Sequence, residues 1–127
     1  MAIAFDTLAA QCAPHVAPQT MAAVVSVESA HNPYAIGVVG GALRRQPRSL
    51  LEAMAAVREL IAKGRNFSVG LAQVNRHNLP KYKIGYEQAF DPCTNLRVGG
   101  FILRECYNRA LPIYGEPQAA LRASFSC

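Results

Sequence analysis

This sequence predicts a mostly α-helical single domain that includes a short β-hairpin or irregular turn. Apolar side chains recur at the three- and four-residue spacing of a helix, most clearly over residues 49–63. Proline stands where helical segments should begin, and glycine or proline stands where they should end. The 127 residues suffice for one buried core and not for two, so one domain should cover residues 1–127.

Local signals place the first three helices. A short helix is expected over residues 5–11, and Pro18 opens a second helix that ends near His31. The third helix, residues 49–63, begins with a Ser-Leu-Leu-Glu capping box and ends before Gly64. Its apolar side should consist of Leu51, Met54, Val57 and Leu60.

The other elements are less regular. Three glycines within residues 34–41 favour the turn or hairpin. Residues 66–85 follow no single period and mix polar with apolar side chains, which is typical of a segment that lines a site. A long helix should run over residues 92–110, where Gly99-Gly100 should allow close approach of another helix or a ligand. Pro117 opens a last helix.

Glu28 is predicted to lie on the buried face of the second helix. Met21, Val24, Val25 and Glu28 stand at i, i+3, i+4 and i+7. Burial removes water from a carboxyl group and disfavours its charged form, which prepares it to act as a general acid. Activity should then fall as pH rises, because the acid must enter the reaction protonated. A buried carboxyl satisfied by backbone amides is the alternative.

The other seven acidic residues have structural explanations. Most lie at helix starts, where carboxylates accept backbone N–H groups, or four residues before a basic side chain. They are Asp6, Glu52, Glu59, Glu87, Asp91, Glu105 and Glu116. Most glycosidases use two carboxylates. A single candidate beside a polar, glycine-containing segment therefore favours sugar chemistry in which the substrate supplies its own nucleophile.

Charge and hydropathy exclude some partners. The net charge is +5, and Arg44, Arg45 and Arg48 form a cluster that would attract an acidic surface. No aromatic residues interleave with these arginines, so we interpret them as a solvated loop, and no nucleic-acid partner is expected. No apolar run is long enough to span a membrane. The first six residues show no secretory signal, so the protein is cytosolic or a leader lies outside this chain.

Four cysteines, Cys12, Cys93, Cys106 and Cys127, show neither a CxxC pair nor zinc-ligand spacing, so no metal or other cofactor is expected. Two disulfides in an oxidising compartment and buried free thiols both fit, and three connectivities stay open. A cysteine peptidase or amidase that pairs one thiol with His15, His31 or His77 is disfavoured. No cysteine lies near a histidine in a strand-to-helix setting.

Three motifs carry a resemblance. They are VESAHNPYAIG (27–37), SVGLAQVN (68–75) and DPCTNLRVGGFIL (91–103). In order and spacing they resemble the soluble lytic transglycosylase family, with its goose-type-lysozyme-like fold. The longer segment 41–66 resembles the branch of peptidoglycan-opening subunits of type IV secretion systems.

The resemblance implies a lysozyme-like fold and a peptidoglycan glycan strand as substrate. Glu28 would protonate the β-1,4 bond between N-acetylmuramic acid and N-acetylglucosamine. It would then act as base while the muramoyl C6 hydroxyl closes a 1,6-anhydro ring. Type IV secretion system components would be partners, and the periplasm the location, with a leader that is absent from this chain. A non-catalytic glycan-binding or assembly module of the same fold is the alternative.

The resemblance also assigns site residues. Ser29 follows the active carboxyl as in the family, while Gly70, Gln73 and Asn75 match the motif that holds the N-acetyl sugar. Ala72 stands where many relatives have methionine, so Tyr34 or Tyr82 is expected to supply the missing apolar wall. Residues 119–127 resemble the lead-in to a closing Tyr-Asn motif, so we expect a domain truncated at its C-terminal end.

Overall fold

The computed structural model describes residues 4–124 and 127. Within them the chain folds into six α-helices and one small sheet, so the mostly α-helical prediction is confirmed. The helices are α1 (Phe5–Cys12), α2 (Pro18–Ser29), α3 (Leu50–Ala62), α4 (Tyr86–Ala89), α5 (Pro92–Tyr114) and α6 (Pro117–Ser124). The strands are β1 (Ile36–Val38), β2 (Phe67–Val69) and β3 (Val74–Asn75), and a 3-10 turn covers Arg76–Asn78.

The sheet is antiparallel with the order β1-β2-β3. β1 pairs with β2, although all of α3 lies between them in the sequence, and Ile36 is opposite Val69. The hairpin is therefore formed by β2 and β3. Residues 34–41 contain β1 and the turn that follows it, so of the two alternatives predicted there the turn is correct and the hairpin is not. On its other edge, Ile36 is paired by a side chain, because the Gln46 amide accepts from its N–H and donates to its carbonyl. These partners lie ten or more residues away, beyond the reach of a local pattern.

Helix boundaries follow the predicted signals closely. Ser49 Oγ accepts from the backbone N–H of Glu52 at 3.1 Å, as a helix N-cap does. α5 extends beyond residue 110, through Pro112, and ends at Gly115 in the left-handed conformation. The prediction that Leu51 belongs to the apolar side of this helix is wrong, because Leu51 is 80% exposed. The buried face of α3 is instead formed by Ala53, Val57 and Leu60, and Leu51 lies on the opposite side.

Two clusters of buried side chains flank α5. The first packs the sheet against α3 and α4 and includes Phe67, Phe90 and Val98. The second packs α1 and α2 against α5 and includes Met21 and Leu96. α5 thus contributes to both clusters and holds the two halves of the core together. Among the described residues, no helix is long and apolar enough to cross a membrane.

All four cysteines form disulfides. Cys12 in α1 bonds to Cys93 at the start of α5, across 81 residues. Cys106 in α5 bonds to Cys127, across 21 residues. The free-thiol alternative is therefore wrong, and with no free cysteine the chain lacks the nucleophile of a cysteine peptidase.

Candidate functional site

A groove of about 480 Å³ lies between α2, the β2–β3 hairpin and α5. The α2 side consists of Met21, Ala23, Val24, Val27 and Glu28. The hairpin side consists of Ser68, Ala72, Gln73, Val74, Asn75 and Asn78. Gly99, Ile102 and Leu103 come from α5, and Ser124 and Cys127 complete the lining.

The two long sides of this groove differ in chemistry. The α2 side is apolar except for Glu28, whose neighbour Val27 is 84% exposed. The hairpin side presents the amides of Gln73, Asn75 and Asn78. Among the described residues that line the groove, Glu28 carries the only ionisable group. The arrangement can therefore donate or accept one proton beside a wall of hydrogen-bonding amides.

The predicted burial of Glu28 is wrong, because its side chain is exposed. The buried residues of α2 are Met21, Val25 and Ser29, so the core-facing side is centred on Val25. At 3.6 residues per turn, Glu28 lies about 60° from Val25, at the border between the buried face and the groove. A spacing pattern identifies a helix face, but it does not locate the edge of that face.

The backbone turns sharply directly after this carboxylate. α2 ends at Ser29, and Ala30 and His31 both adopt positive φ, at 51° and 62°. Two successive left-handed residues other than glycine cost about 1–2 kcal/mol each. Ser29 is buried, and its Oγ donates to the Val25 carbonyl at 3.0 Å. Ser29 thus closes the last turn of α2 and does not line the groove.

Gln73 lines the groove with a side chain that is fixed from within the protein. Its Nε2 donates to the carbonyl oxygens of Ala35 at 3.0 Å and Gly70 at 2.9 Å. Both amide hydrogens are therefore used, and the backbone of Gln73 has a positive φ of 53°. A Cβ atom on Gly37 would lie 2.5 Å from Gln73 Oε1, so only glycine leaves room for this amide.

Asn75 lines the groove near Gln73, and its amide is likewise hydrogen-bonded within the protein. Its Nδ2 donates to Asn66 Oδ1 at 3.1 Å and to Ser68 Oγ at 3.3 Å. Its Oδ1 accepts from the His77 backbone N–H and so caps the 3-10 turn. These contacts give the polar wall a fixed shape before any ligand binds.

Three other predicted site residues lie away from the groove. Gly70 is buried within the turn of the hairpin and does not line the groove, and Tyr34 and Tyr82 pack against the first core cluster. Burial raises the pKa of Tyr82, whose hydroxyl donates to Glu105 at 3.3 Å. The structure therefore brings together Glu28, Gln73 and Asn75, and it places Ser29, Gly70, Tyr34 and Tyr82 elsewhere.

The apolar lining comes from residues that were not predicted. Val24, Val27, Ile102 and Leu103 supply it, rather than Tyr34 or Tyr82. The two tyrosines pack against the first core cluster, so their apolar surface contacts the core and not the groove. Ala72 meets α5 at Gly99, where a Cβ atom would lie 2.5 Å from the Ala72 Cβ. A close approach at the glycine pair is therefore observed, but the hairpin makes it, and not another helix or a ligand as predicted.

Asn95 supports the groove but was missed by the sequence analysis. It is 1% exposed, and its Oδ1 accepts from the Ala72 N–H at 2.7 Å. Its Nδ2 donates to the carbonyls of Val69 at 2.9 Å and Ala89 at 2.8 Å. The only sequence signal was a polar residue beside Leu96 on the apolar side of a helix.

The arginine cluster lies outside the groove. Arg44, Arg45 and Arg48 are exposed, and Arg45 faces Glu52 at 3.6 Å. None of the three lines the groove, as expected for a solvated loop.

Comparisons with known proteins agree with this geometry. A family model described as the transglycosylase SLT domain matches residues 7–119. The chain is 64% identical over 126 residues to the type IV secretion system protein virB1 of Brucella abortus biovar 1 (strain 9-941), covering 98% of this chain and 53% of that protein. It is 33% identical over 124 residues to protein virB1 of Rhizobium radiobacter, covering 96% of this chain and 51% of that protein.

This chain spans about half the length of these relatives. No solved structure matches it. Because the family model covers most of the chain, including all three motifs, the chain belongs to the transglycosylase SLT domain family.

Proposed function

We propose that this chain is the catalytic domain of a peptidoglycan lytic transglycosylase that cleaves between N-acetylmuramic acid and N-acetylglucosamine. The observation that carries this proposal is the position of Glu28. It is the one ionisable side chain that lines the groove within the described residues. It lies in a chain of the transglycosylase SLT family, opposite the amides of Gln73 and Asn75. Their nitrogens donate within the protein, and their oxygens can accept hydrogen bonds from an acetamido sugar.

One carboxyl group suffices if the substrate provides the nucleophile. Glu28 donates its proton to the glycosidic oxygen as the bond from that oxygen to the muramoyl C1 breaks. The muramoyl C6 hydroxyl then bonds to C1, and the Glu28 carboxylate takes the hydroxyl proton. The products are a 1,6-anhydro end and a free 4-hydroxyl, and no water is consumed. Glu28 returns to its protonated form for the next cycle.

A bound glycan would change the surroundings of Glu28. In the open groove its side chain is exposed to solvent. A saccharide lying on Val24 and Val27 displaces that water. Loss of water disfavours the charged carboxylate, so substrate binding itself prepares the proton donor.

Gln73 and Asn75 have a positioning role in this proposal. Their amide nitrogens donate to other groups of the protein, so they keep the polar wall rigid. A rigid wall holds the scissile bond at a fixed distance from Glu28, and such positioning contributes strongly to rate.

The biological setting also enters as a proposal. Relatives bear the name type IV secretion system protein, and peptidoglycan lies outside the inner membrane. We propose that the domain acts in the periplasm, where it opens the wall locally for assembly of a secretion system, with that system's components as partners. Both disulfides suit an oxidising compartment of this kind.

Replacement of Glu28 tests the catalytic proposal. Glu28→Gln keeps the shape of the side chain but removes the proton donor. It should lower release of muropeptides from purified sacculi by about 10²–10⁴-fold. Retention of the protein on sacculi should be unchanged. Glu87→Gln, at an exposed carboxylate outside the groove, is the matched control and should release at the normal rate.

Mass analysis of the products completes this test. Anhydro ends are lighter than reducing ends by one water, so the proposal requires the lighter species. Reducing ends would assign hydrolysis instead. Release by Glu28→Gln at the unaltered rate would contradict the proposed role of Glu28. Retention without any release by the unaltered protein would support the non-catalytic glycan-binding module.

A further inference from the structure

Part of the groove lining comes from residues that lie at or next to a disulfide. Ser124, the last residue of α6, and Cys127 both line the groove that contains Glu28. No other described residue of α6 lines it. This wall therefore depends on how the end of α6 is attached to the rest of the molecule.

The attachment is covalent. Cys127 bonds to Cys106 in α5, with 5.9 Å between the Cα atoms. Arg109 Nη2 donates to both sulfur atoms, at 3.5 Å to Cys106 and 3.0 Å to Cys127. The backbone N–H of Cys127 also bonds to the Ser124 carbonyl at 3.2 Å.

Packing along α5 also holds α6. The helix has eight residues, and a helix this short is marginal without tertiary support. Its fully buried residue is Ala120, whose methyl group offers little apolar area, and the Ser124 hydroxyl bonds within the helix to Leu121. The disulfide therefore adds a covalent restraint, beyond the packing against α5, at the end of the helix that lines the groove.

The Cys12–Cys93 disulfide lies away from the groove. Cys12 is buried in the core cluster of α1 and α2, and neither Cys12 nor Cys93 lines the groove. The molecule thus contains one disulfide at its core and another at its site, which provides a matched control.

We propose that the Cys106–Cys127 disulfide is a positioning element of the glycan groove. It holds Ser124 and Cys127 as a wall, so the groove is complete only in the oxidised protein. This inference rests on the proposed function, because the ligand of the groove is taken to be a glycan strand. Glycan binding then requires that Cys106 and Cys127 be oxidised to the disulfide. The proposed role of Glu28 alone does not include this requirement.

Paired serine variants test the proposal. Cys106→Ser/Cys127→Ser should raise the KM for sacculi and weaken retention on them about tenfold, with a much smaller change in kcat. Cys12→Ser/Cys93→Ser should retain the normal KM, although its melting temperature falls. Equal KM values for the first variant and the unaltered protein would overturn the proposal. An equal rise in KM for both variants would also overturn it.

Reversible reduction provides a second measurement that does not depend on folding of the first variant. In Cys12→Ser/Cys93→Ser, only the Cys106–Cys127 bond can be reduced. Reduction with a phosphine should weaken retention, and reoxidation should restore it, while far-ultraviolet circular dichroism stays constant. Loss of most helical signal on reduction would show that the bond supports the whole fold, and would contradict a local role.

The outcomes also separate this inference from the proposed function. If the unaltered protein neither binds nor cleaves sacculi, the proposed function fails. If it does both and Cys106→Ser/Cys127→Ser matches it, only the role of the disulfide fails.

Discussion

Gln73 shows how much of this site depends on contacts that a single residue makes over a distance. Its amide reaches the carbonyl of Ala35, 38 positions earlier, and lies against Gly37. The sequence motif pointed to Gln73, Asn75 and Glu28, and the structure places these three on one groove. It did not show that the Gln73 amide bonds within the protein, because one partner is the backbone carbonyl of Ala35, which is far away in the sequence.

Substitution of Gly37 should disturb this arrangement. A Cβ atom there would lie 2.5 Å from Gln73 Oε1, so Gly37→Ala must displace the amide and weaken its two hydrogen bonds. We expect a stability loss of about 1–2 kcal/mol in urea denaturation. Retention on sacculi should fall as well.

Gly41→Ala is the control for this effect. Its Cβ atom would lie 2.8 Å from the Arg65 guanidinium, an exposed group that can move, and in ordinary contact with Val38 Cγ1 at 3.8 Å. Equal stability and retention for the two variants would show that the Gln73 amide has no positioning role.

At the scale of the elements, helices were predicted more accurately than the sheet. Helix ends depend on residues three or four positions apart, such as Ser49 and Glu52, which a sequence shows directly. The pairing of β1 with β2 joins segments separated by all of α3, and no local pattern encodes it. The edge of the buried face of α2 likewise depends on what packs against it, which explains the error at Glu28.

Asn95 joins three elements, and its removal should affect all of them. Asn95→Ala leaves the Ala72 N–H and the carbonyls of Val69 and Ala89 without their partner inside the core. We expect a loss of about 2–4 kcal/mol in the free energy of unfolding. Asn108→Ala, at an exposed position on the same helix, should cost little. A similar loss for both variants would contradict this role of Asn95.

At the scale of the whole molecule, the two disulfides and the exposed Lys81–Glu105 ion pair connect parts that are distant in sequence. The four cysteines left three pairings open, since connectivity depends on which helices meet. Lys81 lies between the 3-10 turn and α4, and its Nζ contacts Glu105 of α5 at 2.7 Å.

This ion pair should make stability depend on pH. The hydrogen bond from Lys81 lowers the pKa of Glu105 below its ordinary value of 4.5. A carboxylate with a depressed pKa stabilises the fold above its unfolded pKa, and that contribution is lost as pH falls through the folded pKa. Glu105→Gln should therefore flatten the decline of melting temperature below about pH 4.5.

The effect should be small, because both side chains are exposed and solvent screens the pair. Glu87→Gln, at an exposed carboxylate for which no ion pair is found among the described residues, should keep the normal decline. Identical acid profiles for all three proteins would show that the Lys81–Glu105 pair is not formed in solution.

The register of β1 against β2 has a consequence for the segment between them. Val38 lies opposite Phe67, so the chain departs from the sheet and returns to it at neighbouring points. A few residues could bridge that gap, yet the intervening stretch includes all of α3. Val57 and Leu60 of this helix cover one side of the strands. The inserted segment thus covers the apolar side of the strands. A chain in which a short loop replaced it would expose that apolar surface to solvent and should aggregate.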